Sequence, residues 1–224
     1  MTNSSNGFRT LLMVLALAIG IYSIASGFAE LSSLPRPAFP SDSTKIGLPS
    51  AAAIPSWLET VSPFRADLEG NHAWIAGIQT LQSGREGSTV TESARNAEAR
   101  ARIEHSLSIS PYDAELWLVL ALLRAQRDPR DPALLEALKM AYFTAPNDAR
   151  LMPLRLDTAT LFNALADPDV EELARGDVRL MVMRQPGLKN AVVSAYRRAS
   201  SLGKAFLEET VQSVDPSFLA TLRG

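Results

Sequence analysis

The sequence predicts an all-α protein, an array of antiparallel helix pairs behind one helix long enough to cross a membrane. Three observations carry this. The twenty residues Thr10 to Ala29 lie between Arg9 and Glu30 with no charge among them. At 1.5 Å per residue such a helix spans about 30 Å, the thickness of a bilayer's hydrocarbon core. Next, Ser110-Pro111-Tyr112-Asp113-Ala114-Glu115-Leu116 recurs 35 positions on as Ala145-Pro146-Asn147-Asp148-Ala149-Arg150-Leu151, with Pro, Asp, Ala and Leu in register. A period of that length between helical patterns marks one helix pair stacked on the next. Finally, from Trp57 onward there is no Asn-Gly or Asp-Gly hairpin and no sustained alternation of β-branched residues, so nothing reads as a strand.

Composition narrows the function classes. The net charge is -2 with pI near 5.8, which gives no global field for nucleic acid. Cysteine is absent, which removes disulfides, thiol nucleophiles, thiolate metal sites and a lipid-attachment cysteine together. It also suits an oxidising compartment.

The apolar segment has two readings. As a signal-anchor, residues 10–29 stay in the bilayer with residues 1–9 in the cytoplasm. As a secretory signal they are cleaved near Ala25-Ser26-Gly27 or Gly27-Phe28-Ala29, where small residues stand at the required spacing. The uncharged stretch is longer than an ordinary signal core, which favours the anchor. Small residues Ala16, Gly20 and Ser23, at spacings of four and three, would let a second membrane helix approach closely. Residues 30–56 follow, with Pro35, Pro37, Pro40, Pro49 and Pro55 among Ser, Ala and Gly. This reads either as an extended, semi-rigid spacer or as a disordered remnant. Both readings of the apolar segment export the remainder, residues 57–224.

Within that domain the first helix is expected from about Pro63 to Gln82, with Leu68, Trp74, Ile75 and Ile78 as apolar positions, ended by Ser83-Gly84-Arg85-Glu86-Gly87-Ser88. Thr89 and Glu92 form a capping box for a second helix with Ala99, Ile103 and Leu107 on one face. Asp113 can cap a third, Ala114 to Arg127, with Leu116, Trp117, Leu120 and Leu123 inward. In Asp128-Pro-Arg-Asp-Pro132, Asp131 caps and Pro132 opens a fourth helix striped by Leu134, Leu135, Leu138, Ala141 and Tyr142. Trp117, Tyr142 and Phe143 are all expected in the core. Pro153 either kinks the next helix or delays its start. Asp167-Pro168 and Asp215-Pro216 repeat the cap-then-proline start, and Leu188, Ala191, Val192, Ala195, Tyr196 and Ala199 form one stripe between Pro186-Gly187 and Ser200. The last pairs are expected to have drifted from the repeat, closed by a short helix over 216–222.

Residues Trp117, Leu120, Ala121, Leu138, Ala141 and Pro146 match in order the Trp, Leu and small residue of a first helix and the apolar, Ala and Pro positions of a second in the tetratricopeptide-repeat family, which this chain resembles. Around Pro111 the fit is partial: Ala99 and Ile103 are in place, and Ser106 stands where alanine is usual. The resemblance covers about 75 residues and lapses after Pro146, where Met152, Pro153 and Arg155 depart from the pattern. It implies a tetratricopeptide-like α-solenoid acting as a scaffold or adaptor, with no enzymatic activity and no cofactor. The expected partners are inner-membrane or periplasmic proteins in polysaccharide export, secretion or membrane-complex assembly. The expected location is a bacterial inner membrane, crossed once, with the helical domain in the periplasm.

The residues offer little chemistry. His72 and His105 stand apart and each reads as a surface or helix-end histidine. Glu171-Glu172 and Glu208-Glu209 are adjacent in sequence and diverge by about 100° on a helix, so neither pair is an acid-base dyad. An exported glycan-cleaving enzyme, a second alternative, would use one acid such as Glu92 beside Ser93. Charge, however, is uneven. Residues 156–174 hold Asp157, Asp167, Asp169, Glu171 and Glu172 and no base, whereas 175–204 hold Arg175, Arg179, Arg184, Lys189, Arg197, Arg198 and Lys204 with one acid, Asp177. This either complements the dipole of a 168–184 helix or forms a basic surface for anionic lipid or polysaccharide. The candidate contact residues are therefore Tyr112, at an exposed turn, with Arg175, Arg179, Arg184, Lys189, Arg197 and Arg198. No nucleic-acid partner is expected.

Overall fold

The structure is a computed structural model that describes residues 3–32, 36, 39, 66–83, 90–162 and 164–224. Among them there are ten α-helices and no strand: α1 Asn3–Ser32, α2 Ala66–Ser83, α3 Val90–Ile109, α4 Ala114–Arg127, α5 Pro132–Thr144, α6 Met152–Leu161, α7 Pro168–Met183, α8 Lys189–Arg198, α9 Ser201–Val214 and α10 Leu219–Arg223. The expected breaker at 84–88, the Thr89 cap, most of the proline-rich segment and the domain's start at Trp57 lie outside the described residues.

Helix α1 contains the window Gly7–Ile24, of mean hydropathy 1.8, none of it buried by the rest of the chain. It is long and apolar enough to span a membrane, a property shared with secretory signals. Ala16, Gly20 and Ser23 all lie on its open surface.

Helices α2 to α5 pack as two successive pairs. Helix α2 lies against α3 and α4, α3 against α4, and α4 against α5. Four-residue turns join α3 to α4 and α4 to α5, which makes them antiparallel. Helix α4 is enclosed on every side, and accordingly its Leu116, Leu118, Val119, Leu120, Leu122 and Leu123 are all buried. A Cβ added at Gly77 of α2 would stand 2.5 Å from Val119 Cγ1, so the α2–α4 crossing needs a residue without a side chain. Asn96 of α3 donates to Leu123 O and to Gln126 Oε1, each at 3.0 Å, stitching the far ends of α3 and α4 together.

Beyond α5 the neighbours change. Helix α6 packs on α7, α8 and α9 and only lightly on α5. Leu151 to Thr160 are buried without exception, making α6 the axis of a C-terminal bundle. Pro153 sits in its first turn, where the missing N–H removes no helical hydrogen bond; the start is delayed and no kink is needed. Thr158 and Thr160 satisfy their buried hydroxyls by donating to Leu154 O and Leu156 O. Gly203 lets α9 touch α6: a Cβ there would lie 2.4 Å from Thr160 O. The stripe near Leu188 is inward as expected, though regular α-helix begins at Lys189 after a 3₁₀ turn over Pro186–Leu188. A second 3₁₀ turn, Pro216–Phe218, leads into α10.

Three expectations are corrected. His72 is buried, because it shares the i, i+4, i+7 stripe of α2 with Leu68 and Ile75. Phe143 is 60% exposed, because it shares the outer face of α5 with exposed Glu136 while Leu138, Ala141 and Tyr142 turn inward. Trp117 is half-buried at the edge of the core, its indole N–H donating to Pro111 O at 2.8 Å.

Candidate interaction surface

The antiparallel pairs give α2–α5 two ends. The near end carries the N-termini of α2 and α4, the C-termini of α3 and α5, and the turns 110–113 and 145–151. The far end carries the 128–131 turn. Side-chain contacts follow this topology: Arg150 reaches Glu115 across the near end at 3.6 Å, and Arg127 reaches Ser93 across the far end at 3.4 Å.

At the near end, Asp113 is the N-cap of α4, accepting from Leu116 N at 3.1 Å, and Glu115 lies in the same first turn. Carboxylates favour this position because the helix's unpaired N–H groups and dipole are there. Together with Asn71 of α2 they form an acidic notch, and Arg36 fills it. Its Nη1 and Nη2 donate to Asp113 Oδ1 and Oδ2 at 3.0 and 2.8 Å, Nη1 also to Glu115 Oε2 at 3.1 Å, and Nε to Asn71 Oδ1 at 2.8 Å. Burial works against the guanidinium's charge, but the two carboxylates outweigh it and raise its pKa above the ordinary value. Three residues on, the Phe39 ring meets Trp74 of α2 edge to face with centroids 5.6 Å apart. Thus two residues of the segment expected to be a spacer are docked on the α2–α4 surface. Sequence reasoning passed over both, although Arg36 between two prolines and Phe39 before a third were the visible signal.

The other candidate residues are scattered. Tyr112 stands at the near end, 83% exposed. Arg175 binds Glu171 at 2.6 Å and approaches Glu172 and Glu209. Lys189 binds Asp215 at 2.9 Å, and Arg198 binds the fully buried Asp157 at 2.8 Å. Arg179, Arg184 and Arg197 are exposed. Hence half of the six bases are held in ion pairs within the domain, and Asp157 is an interior group.

A buried cluster that the sequence did not reveal ties the two halves together. Arg155 of α6, wholly inaccessible, uses all five N–H donors: to Asp177 Oδ1 and Oδ2 at 3.0 and 3.2 Å, and to the carbonyls of Ala141, Ala145 and Pro146. Those carbonyls close the C-terminus of α5, where a cation opposes the helix dipole's negative end. The guanidinium also lies 4.5 Å from the Tyr142 ring centroid. Burial pushes the Asp177 carboxyl up to about 7, against the pull of Arg155.

At the far end, Thr80, Ser83, Glu92, Ser93, Asn96, Gln126 and Arg127 line a cleft of about 150 Å³. Among the described residues that line it, Glu92 is the one carboxylate. His105 is exposed on α3. No three His, Asp or Glu side chains among the described residues form a metal-binding group.

Comparison with known proteins gives no match to any family model, curated protein or solved structure.

Proposed function

We propose that this chain is a membrane-anchored, tetratricopeptide-like adaptor of the bacterial envelope, whose helical domain lies on the periplasmic side and binds a segment of another protein. The observation that most supports this reading is the docking of Arg36 and Phe39. The α2–α4 surface already holds a cation in an acidic notch and an aromatic ring against Trp74. Such chemistry selects a peptide presenting a basic and an aromatic residue three positions apart, and confinement to a membrane lets weak contacts of this kind suffice. The helix-pair packing of α2–α5 and the open apolar surface of α1 support the same reading.

The test is purification of the full chain, C-terminally tagged, from gently solubilised membranes of its native host. A stoichiometric envelope protein should accompany it. That protein should be lost when residues 57–224 are deleted from the anchored chain, and its yield should change in the Arg36→Glu/Phe39→Ala double variant, which empties the notch. A chain that elutes alone, or a partner indifferent to both changes, would refute the adaptor reading.

A further inference from the structure

The two ends of the α2–α5 pairs differ in chemistry. Among the described residues of the far end, the exposed or half-exposed ones include Arg127, Asp128, Pro129, Arg130 and Asp131 of the turn, with a single large apolar side chain, Val90, at the start of α3. The near end exposes three large apolar side chains, Ile109 (49% accessible), Tyr112 (83%) and Phe143 (60%), beside Pro111, Pro146, Asn147 and Arg150. Its charges are committed to one another: Arg36 to Asp113 and Glu115, and Arg150 to Asp148 at 2.7 Å. An aliphatic and two aromatic side chains projecting from one end whose charges are paired with one another are what the boundary between headgroups and acyl chains accepts.

The chain itself brings this end to a bilayer. If Gly7–Ile24 spans the hydrocarbon, the remainder of α1 to Ser32 adds about 12 Å of helix. The four steps from Ser32 to Arg36 add at most about 14 Å. Arg36, clamped in the near-end notch, therefore lies within about 26 Å of the hydrocarbon edge, or about 19 Å beyond a headgroup layer of about 7 Å. With the far end facing the membrane, the notch would stand above the headgroups by at least the length of α4, about 21 Å for its 14 residues. With about 6 Å added for the Arg36 side chain, a fully extended tether reaches about 25 Å, so that orientation leaves it almost taut whereas the near-end orientation leaves it slack.

We propose that the near end is a lipid-contacting surface, with Ile109, Tyr112 and Phe143 seated in the interfacial layer of the bilayer that α1 crosses. The proposal rests on the anchored part of the function proposed above. The domain then hugs the membrane through two contacts, the span and this apolar end, and the second is driven by apolar burial and so is insensitive to salt.

The absence of cysteine makes the test direct. Single cysteines replace Ile109, Tyr112, Phe143, Arg130 (far end) and Leu17 (inside α1) in the full chain, which is labelled with an environment-sensitive fluorophore and reconstituted in phosphatidylcholine vesicles. All five sites are exposed, so the fold is retained. Labels at 109, 112 and 143 should emit further to the blue than the label at 130. They should also be quenched about twofold or more above it by lipids carrying a nitroxide near the headgroup, equally in low and high salt. Near-end labels that respond to aqueous iodide as the label at 130 does, and not to nitroxide lipid, would overturn the proposal. So would near-end labels that become shielded only when an envelope extract is added, which would assign the surface to a protein. The label at 17 separates the two levels. If deep nitroxide lipids quench it while the near end stays wet, the surface assignment alone fails; if they do not quench it, the anchored reading fails and carries the proposal with it.

Discussion

Replacing Arg155 by Met tests whether the buried guanidinium holds the two halves of the domain together. The variant keeps most of the side-chain volume, so cavity formation contributes little. What it loses is electrostatic. Two charge-assisted hydrogen bonds to Asp177 vanish, and the carbonyls of Ala141, Ala145 and Pro146 lose their donor. Asp177, 2% exposed, is left without its partner. Removing one member of a buried ion pair costs about 3–5 kcal/mol, a large share of the 5–15 kcal/mol that holds ordinary domains folded. For a urea m-value of about 2 kcal/mol/M, the midpoint should fall by about 1.5–2.5 M. The assay is equilibrium urea unfolding of the full chain in mild detergent, followed by far-UV circular dichroism. Adding Asp177→Leu should restore part of the loss, because an apolar pair leaves no orphaned charge. A midpoint shift below about 0.3 M, or a double variant weaker than Arg155→Met by the full cost of a second lesion, would refute the reasoning.

The same pair gives stability a pH dependence. Asp177 has its carboxyl raised from 3.8 to about 7, so between those values the folded state holds a proton that the unfolded state has released; this contribution is complete below about pH 4 and is lost as pH rises through 7. Measured against Asp177→Asn, which cannot titrate, the wild type should gain in thermal midpoint on moving from pH 7.5 to pH 4.5; a constant difference would contradict the shift. Glycines offer an opposed pair. Gly203→Ala drives a methyl to 2.4 Å from Thr160 O and should cost more than about 2 kcal/mol, whereas Gly176→Ala, in the middle of α7 with nothing within 4 Å, should gain up to about 1 kcal/mol; thermal midpoints moving the same way would show one environment misassigned. Arg36→Glu sets a third carboxylate against Asp113 and Glu115 and should release the docked residues. Amide exchange in the first turns of α2 and α4 should then speed up several-fold with α9 unaffected, and unchanged rates would mean that the clamp does not restrain them.

Helix starts were the most legible part of the fold. Asp113, Asp131, Asp167 and Asp215 each accept backbone N–H bonds from two or three residues ahead, because a cap is a local device that a short window contains whole. Apolar stripes located α3, α4 and α5 for the same reason. What stayed hidden joins residues far apart in the chain. Arg36 meets Asp113 across 77 positions, and Arg155 meets Asp177 only because α6 is buried on all sides. Arg155 looked like a departure from a repeat pattern, and its charge argued for the surface; the carbonyls at the end of α5 supply the reason it is inside. His72 was misread through residue type, although its spacing from Leu68 and Ile75 already put it on the inner stripe. At the candidate surface, Tyr112's exposure followed from its place in a turn. Among the basic residues of 175–204, Arg175 had Glu171 one helical turn before it, a pair that the spacing shows, whereas nothing distinguished Lys189 and Arg198, whose acidic partners lie 26 and 41 positions away, from Arg179, Arg184 and Arg197.

The docking of Arg36 and Phe39 also decides how the protein bears a load. Arg36 and Phe39 are held on the surface that the helix beginning at Ala66 helps to form, so the anchor is joined to the domain ahead of the 26 residues that separate Phe39 from Ala66 in the sequence. A pull on the membrane helix is met first by the guanidinium gripped between two carboxylates, in shear, with α2 under no tension. Only when that grip slips do those 26 residues enter the line, with a contour length of up to about 90 Å at about 3.5 Å per residue. The connection then has two lengths, a short one that presses the domain to its membrane and a long one that lets it follow a receding partner, and the strength of a single ionic clasp sets the force at which one becomes the other.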